Sequence, residues 1–224
     1  MADWLLGAGE ILRTALAGDS WMLSEALNAP AAWPLGLLAT LAGGALIAAL
    51  YRLVPPLDRW LEPAIMVASY LAIGGIIFFA VIERFFLDRQ IPWSTTIPAF
   101  LFLIMTWFGC SYNVRLRTHL AFGEVRGKLP RPAQLLCLML DGLLWIGFSW
   151  VVIVTSTKVA VNSAANFQIM LGTDDVMQWW FLASLPLAFL TLTARAMLCL
   201  AEDWRAFREG LPLIRASVIG EAQA

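Results

Sequence analysis

Few side chains in this sequence are of the types that carry out chemistry, and they stand apart from one another. The single histidine, His119, excludes a bis-histidine haem held within the chain. Cys110, Cys137 and Cys199 lie in separate apolar runs without a CxxC pair, which is typical of small buried side chains rather than of a disulfide or a metal site. No phosphate-binding GxxxxGKS/T loop, HExxH motif or GxSxG motif is present. We therefore predict that the chain is not an enzyme and holds no metal or cofactor of its own.

Asp141 is the one ionisable side chain that we expect clearly within an apolar run. It follows Ala133 by about eight residues, which is on the order of 12 Å along a helix. Such a carboxylate can be a proton or ion ligand, or it can be a hydrogen-bonding group between helices that is satisfied by an arginine, a serine or threonine, or a partner subunit. The second interpretation is favoured because no second carboxylate accompanies Asp141. Transport by this chain alone therefore has little support.

The elements that position these side chains are apolar runs long enough to cross a bilayer. Hydrophobic residues make up 60% of the 224 residues and charged residues 14%, and the mean hydropathy is +0.75. Crossing the hydrocarbon core takes roughly 20 mostly apolar residues. The predicted runs are residues 34–51, 63–82, 98–112, 133–154 and 176–200. The sequence therefore predicts an all-α, polytopic transmembrane protein, and its net charge of −1 gives no reason to expect a nucleic acid partner.

Local signals refine the first three runs. Pro63 is predicted to occupy the first turn of the second helix, and Ser94 or Thr95 to cap the third. Residues 2–17 are amphipathic and could lie flat in the membrane interface or form an ordinary helix packed on its neighbours. Run 34–51 either spans the membrane, with the N-terminus outside, or is re-entrant or interfacial, which leaves four spans and the N-terminus inside. Five spans are favoured.

Lysine and arginine concentrate in alternate connections between the runs. The connection between the third and fourth runs contains Arg115, Arg117, Arg126, Lys128 and Arg131. Since basic residues favour the cytoplasmic side, this connection, the 52–62 connector and the C-terminal tail 205–224 are predicted to be cytoplasmic. Arg115 and His119 are four residues apart, so we expect them on one face of a helix that leaves the membrane among lipid phosphates.

A series of short motifs accompanies the last four runs. In order they are Glu83-Arg84-Phe85, Trp93, Gly109-Cys110-Ser111 with Arg115, His119-Leu120, Leu129-Pro130, Leu171-Gly172, a tryptophan at 179 or 180, and Pro186. In these motifs and their order the sequence resembles the small membrane subunit of the tripartite ATP-independent periplasmic (TRAP) transporters, the C4-dicarboxylate small permease family. The resemblance implies a four-helix membrane domain at 61–204. It is preceded by an N-terminal extension at 1–60 that carries the amphipathic helix and the extra span.

The resemblance also implies a non-catalytic subunit in a bacterial inner membrane. In this family a periplasmic binding protein delivers a small organic acid, such as a C4-dicarboxylate, to a large permease subunit that imports it with sodium, and the small subunit braces the scaffold of the large one. Membrane lipid is the other expected partner. Candidates for subunit contact or orientation are Arg84, Trp93, Arg115, His119 and Asp141. The alternative is a membrane anchor subunit of a redox enzyme complex whose cofactors lie on its partner.

Overall fold

The computed structural model describes residues 2–117 and 126–213. Within these residues the chain forms helices and their connections, and its extended pairing is limited to an isolated bridge between Ile169 and Met177. The helices are α1 Ala2–Ala17, α2 Ser20–Ala26, α3 Ala32–Leu53, α4 Pro55–Phe86, α5 Thr96–Leu116, α6 Arg131–Ala165, α7 Trp179–Leu182 and α8 Ser184–Arg208. A 3-10 turn at Pro92–Ser94 precedes α5.

Five helical segments of the described residues are long and apolar enough to cross a membrane. They are α3, α4, α5 with the preceding 3-10 turn, α6, and α7 together with α8. The five predicted runs coincide with these segments, which confirms the all-α polytopic fold class. Because α3 is among them, the described structure agrees with five spans rather than with a short re-entrant or interfacial segment at residues 34–51.

α8 lies at the centre of the bundle, where it packs against α3, α5 and α6. Its buried face includes small side chains such as Ala188 and Thr191, which let neighbouring helices approach closely where lipid offers no hydrophobic driving force. Phe189 adds aromatic contacts, with its ring centroid 5.0 Å from that of Trp107 on α5 and 5.6 Å from that of Phe148 on α6. α4, by contrast, packs mainly against α5 and leaves most of its apolar surface exposed.

Glycines mark the closest approaches to α8. A Cβ on Gly44 of α3 would lie 2.6 Å from Cγ2 of Thr193, and one on Gly142 of α6 would lie 2.6 Å from Cγ of Leu200. Both distances are shorter than van der Waals contact, so a larger side chain at either glycine would push the helices apart. Gly147, further along α6, has open space where its Cβ would stand.

Residues 2–17 form α1, as predicted, and the helix has three distinct sides. Ala8, Ile11 and Thr14 form its buried side, which packs on α2 and the start of α3. The two exposed sides are an apolar row of Leu5, Leu12 and Leu16 and a charged row of Glu10 and Arg13. The helix therefore packs on its neighbours, which is one of the two predicted alternatives. Its exposed surface stays amphipathic, which is what the other alternative, a position in the membrane interface, requires.

Two helix starts differ from the prediction. α4 begins at Pro55 rather than at Pro63, because two prolines at its start already occupy the first turn and Pro63 is accommodated inside the helix. α5 begins after Thr95, but Thr95 makes no side-chain capping bond. The hydroxyl of Ser94 instead donates to the carbonyl of Ile91 at 2.8 Å and closes the 3-10 turn. The added N-terminal turns of α4 carry charged side chains.

We expect Gly142→Val to destabilise the bundle, because the added methyl groups have no space against Leu200. Over-packing costs about 1–3 kcal/mol, so the midpoint of thermal unfolding of the purified protein in detergent should fall. Gly147→Val on the same helix is the matched control and should leave the midpoint nearly unchanged. Equal midpoints for the two variants would contradict the close packing of α6 on α8.

Candidate functional site

Four charged side chains and a tyrosine meet at one end of the bundle and form what we call the ion network. Arg195 of α8 is 2% exposed, and Glu62 of α4 is fully buried. Asp58 and Glu62 are four residues apart on α4, so they share one face of the helix. Tyr51 comes from the last turn of α3 and Arg115 from the last turn of α5. The ion network therefore joins four of the five spanning-length helices that the described residues form.

Glu62 accepts hydrogen bonds from two helices. The guanidinium group of Arg195 donates from Nε to Oε1 of Glu62 at 2.8 Å and from Nη2 to Oε2 at 2.7 Å. The hydroxyl of Tyr51 donates to the same Oε1 at 2.9 Å, and its ring centroid lies 4.0 Å from Cζ of Arg195. Two parallel bonds to a carboxylate and a stacked aromatic ring suit the planar guanidinium group of arginine better than the ammonium group of lysine. The buried charge of Glu62 is thus compensated.

Asp58 is shared between two arginines. One carboxylate oxygen is bound by Nη1 of Arg195, and the other accepts from Nη2 of Arg115 at 2.9 Å. The backbone carbonyl of Asp58 also accepts from both guanidinium groups, at 2.7 Å from Nη2 of Arg195 and 2.6 Å from Nη1 of Arg115. Pro63, which has no N–H, interrupts the hydrogen-bond ladder of α4 close to this turn. α4 therefore offers both side-chain and main-chain acceptors to α5 and α8.

The ion network is electrically neutral, and its central pair is closed to solvent. Two carboxylates face two guanidinium groups, and all four carboxylate oxygens accept hydrogen bonds. Ion and proton pathways in membranes depend on ionisable groups that face a water-filled cavity. Arg195 and Glu62 face each other instead. The arrangement is suited to holding helices in one register rather than to binding a solute.

Arg117 ties the end of α5 to α8 beside the ion network. It adopts a left-handed backbone conformation, with φ of 55°, and ends the helix. Its Nη1 lies 2.7 Å from Oδ1 of Asp203, and its Nη2 donates to the carbonyl of Cys199 at 3.3 Å. This conformation interrupts the continuous helix that was predicted to carry Arg115 and His119 on one face. His119 itself lies outside the described residues.

Asp141 is paired with a basic side chain from the segment before α6. Its Oδ2 lies 2.6 Å from Nη1 of Arg126, and an arginine is one of the partners that the hydrogen-bonding interpretation predicts. The expectation that Asp141 is the one ionisable side chain clearly within an apolar run is wrong, because Arg195 lies within the predicted run 176–200 and is buried there. That run tolerates an arginine since two carboxylates of α4 neutralise it.

The other predicted residues lie away from the ion network. Trp93 is half-buried in the 3-10 turn at the opposite end of the bundle, where Gly172 approaches it. A Cβ on Gly172, whose φ is +83°, would lie 2.8 Å from the backbone nitrogen of Trp93, so this contact requires glycine. Arg84 is exposed in the last turn of α4 and enters no ion pair among the described residues. Among the predicted residues that the structure describes, Arg115 is the member of the ion network.

Sequence reasoning missed the rest of the ion network, namely Tyr51, Asp58, Glu62 and Arg195. Two signals could have found three of these residues: carboxylates at helical spacing just before one apolar run, and a lone arginine inside another. Because an unpaired charge in an apolar environment is costly, each signal predicts an opposite charge at the same depth. Tyr51 carries no such signal, since a tyrosine at the end of an apolar run is equally typical of the membrane interface.

The family model for the DctQ component of the tripartite ATP-independent periplasmic transporters matches residues 73–206, which is more than half of the chain. The chain belongs to this family. A comparison with curated proteins found no match. As a DctQ component it is a small membrane component of a TRAP transporter, and components of this kind work with a large permease and a solute-binding protein. Membership of a transport family disfavours the alternative of a redox anchor.

The DctQ match divides the ion network. It runs from the middle of α4 into the last turn of α8, so Arg115 and Arg195 lie inside it. Tyr51, Asp58 and Glu62 precede it. The two arginines of the ion network, both inside the DctQ match, are thus neutralised by carboxylates that come earlier in the chain.

We expect Arg195→Met to destabilise the protein strongly, because Glu62 would stay buried without a charged partner. Removing one member of a buried ion pair costs about 3–5 kcal/mol, which should lower the midpoint of thermal unfolding in detergent markedly. The double variant Arg195→Met/Glu62→Leu removes both charges and should recover much of the loss. Arg84→Met, at an exposed arginine of α4, is the control. A double variant no more stable than the single one would count against a direct coupling of Arg195 and Glu62.

Proposed function

We propose that this chain is the non-catalytic small subunit of a sodium-coupled TRAP transporter that imports a small organic acid of the C4-dicarboxylate kind. In this proposal it braces the scaffold of the large permease subunit, which moves the solute that a periplasmic binding protein delivers. The observation that carries the proposal is the neutral ion network, whose charged groups bind one another and leave none for a solute. The substrate class and the sodium coupling rest on the family resemblance.

Rigidity at one end of the bundle supports the bracing role. A support for a moving subunit has to keep its own helices in register while its neighbour shifts. The ion network fastens α3, α4 and α5 to α8, and Arg117 adds a second tie between α5 and α8 through Asp203. Interior packing of this kind resists gradual deformation, since cores are close-packed.

The distribution of basic residues supports an orientation with the ion network on the cytoplasmic side. Arg52, Arg59 and Arg115 lie at this end of the bundle, and Arg205 and Arg208 occupy the last turn of α8 there. Basic residues favour the cytoplasmic side. With five spans, the C-terminus is then cytoplasmic and the N-terminus periplasmic. The contact of Gly172 with Trp93 faces the periplasm in this orientation, on the side from which a binding protein approaches.

α1 fits a position in the lipid interface on the periplasmic face of the inner membrane. Its apolar row of Leu5, Leu12 and Leu16 and its charged row of Glu10 and Arg13 lie side by side and exposed. A helix in the interface places such an apolar row against acyl chains and such a charged row in water. Membrane lipid is therefore the partner that we propose for the apolar row.

The four candidate residues that the structure describes divide into two groups in this proposal. Arg115 and Asp141 are bound within the chain and orient its helices. Arg84 and Trp93 lie at the periplasmic end and are the residues that we propose for contact with another subunit. His119, outside the described residues, stays a candidate from the resemblance alone.

Cysteine labelling tests the orientation. In a background without the native cysteines, Asp174→Cys in the connection between α6 and α7 should react with a membrane-impermeant maleimide on intact spheroplasts. Glu209→Cys, just after α8, should react only after the membrane is opened. Both positions are exposed, so both should react in detergent, which controls for accessibility. The reverse pattern on intact spheroplasts would show that the orientation is inverted.

Reconstitution tests the subunit role. We expect liposomes that contain the large permease and this chain, supplied with the binding protein, to accumulate a labelled C4-dicarboxylate such as succinate when an inward sodium gradient is imposed. Liposomes with this chain alone should accumulate none, because the charged groups that the structure describes form no path through the bundle.

Three controls separate the parts of this proposal. Replacing the sodium gradient by a potassium gradient should abolish uptake if sodium drives it. Full uptake by the large permease and binding protein without this chain would remove the bracing role. Solute accumulation in liposomes that hold this chain and nothing else would overturn the non-catalytic assignment.

A further inference from the structure

A cleft of about 250 Å³ opens between the ends of α3, α4 and α8, beside the ion network. Arg52 and Arg205 line it, together with the carboxylates of Asp58 and Glu202. Leu198 and Ala201 supply the apolar part of its lining. The cleft therefore combines charged groups of both signs with an apolar wall.

The cleft keeps a net positive charge. Both oxygens of Asp58 are bound by arginines of the ion network, and Oε2 of Glu202 lies 3.7 Å from Nη2 of Arg117, which also pairs with Asp203. Arg52 and Arg205, in contrast, enter no ion pair within the part of the chain that the structure describes. The cleft therefore offers two guanidinium groups, whose charge exceeds the uncompensated part of Glu202, and this suits an oxyanion such as a phosphate.

The cleft lies at the level of lipid headgroups. Arg52 is in the last turn of α3 and Arg205 in the last turn of α8, so both stand where spanning-length helices end. Trp60 and Trp204, at the same end, are 60% and 53% exposed. Exposed tryptophans at helix ends are typical of the zone between headgroups and acyl chains.

The apolar wall distinguishes a lipid from free phosphate. Leu198 precedes Arg205 by seven residues, which is about 10 Å along the helix towards the interior of the membrane. A free phosphate ion held by the arginines would leave the apolar wall of Leu198 and Ala201 uncovered. A phospholipid places its phosphate at the arginines and its glycerol and the first carbons of its acyl chains against Leu198 and Ala201.

We propose that this cleft binds the phosphate group of an anionic phospholipid through Arg52 and Arg205. The site goes beyond the transport role and does not depend on it. In the proposed orientation the lipid belongs to the cytoplasmic leaflet, where anionic lipids attract basic side chains. Bound there, it joins α3, which precedes the family match, to α8 within it.

Native mass spectrometry of the purified full chain with added lipid tests the site. Phosphatidylglycerol should bind more tightly than phosphatidylcholine. Arg52→Gln/Arg205→Gln should weaken phosphatidylglycerol binding roughly tenfold or more, because it removes the charge-assisted hydrogen bonds that the two guanidinium groups donate to the phosphate. Arg59→Gln/Arg208→Gln removes the same charge from residues outside the cleft and is the matched control. It should retain most of the binding.

Several outcomes would overturn the proposal. Equal weakening by the two double variants would show that overall charge, not the cleft, attracts lipid. Equal binding of the two lipids would exclude recognition of the anionic headgroup. Inorganic phosphate that displaces phosphatidylglycerol at equal concentration would show that the ligand is free phosphate. If Arg52→Gln/Arg205→Gln fails to fold, Arg52→Lys/Arg205→Lys serves instead because it keeps the charge. It should bind phosphatidylglycerol more weakly than the native chain does while still preferring it to phosphatidylcholine. Unchanged binding would exclude guanidinium recognition.

Discussion

Arg195 lies on α8, which packs closely against three other long helices, and its guanidinium group is buried. This burial constrains where the surrounding helices can lie. An ion taken out of water without a partner is costly, so carboxylates have to reach the same point. Asp58 and Glu62 do so only if the start of α4 lies within side-chain reach of α8 at the depth of Arg195. Tyr51 and Arg115 then bring the ends of α3 and α5 to the same place. The register of four helices thus follows from the pairing of one arginine.

The ion network also marks the depth at which these helices change from apolar to charged. Glu62 directly precedes the predicted run 63–82, and Arg115 follows the apolar part of α5. Beyond Arg195, α8 carries Glu202 and Asp203. Charges near the edge of the hydrocarbon layer cost less than charges at its midplane, because water and headgroups are close. The network can therefore combine a strong, buried pair with outer members, such as Arg115, that are only partly buried.

Much of the fold could be predicted from sequence because hydropathy and run length are local properties. The helix starts were not predictable in this way, since a proline at 55 and one at 63 give the same local signal and only packing decides between them. The pairing of charges within the ion network was out of reach for a different reason. Glu62 and Arg195 are 133 residues apart, and a single sequence carries no record of which charge meets which. For Asp141 the type of partner was predictable, but not that Arg126 supplies it.

The position of the family match within the network bears on how the chain is organised. Arg115 and Arg195 lie within residues 73–206, whereas both carboxylates that bind them lie before residue 73. A chain divided at the predicted boundary between residues 60 and 61 would keep Glu62 and lose Asp58. Arg115 would then lose its carboxylate partner, and Arg195 would lose one of two. In energetic terms the start of α4 therefore belongs with α5 and α8, although the family match begins about three helical turns after Glu62. Charge compensation, unlike sequence similarity, ties the N-terminal part of the chain to the rest.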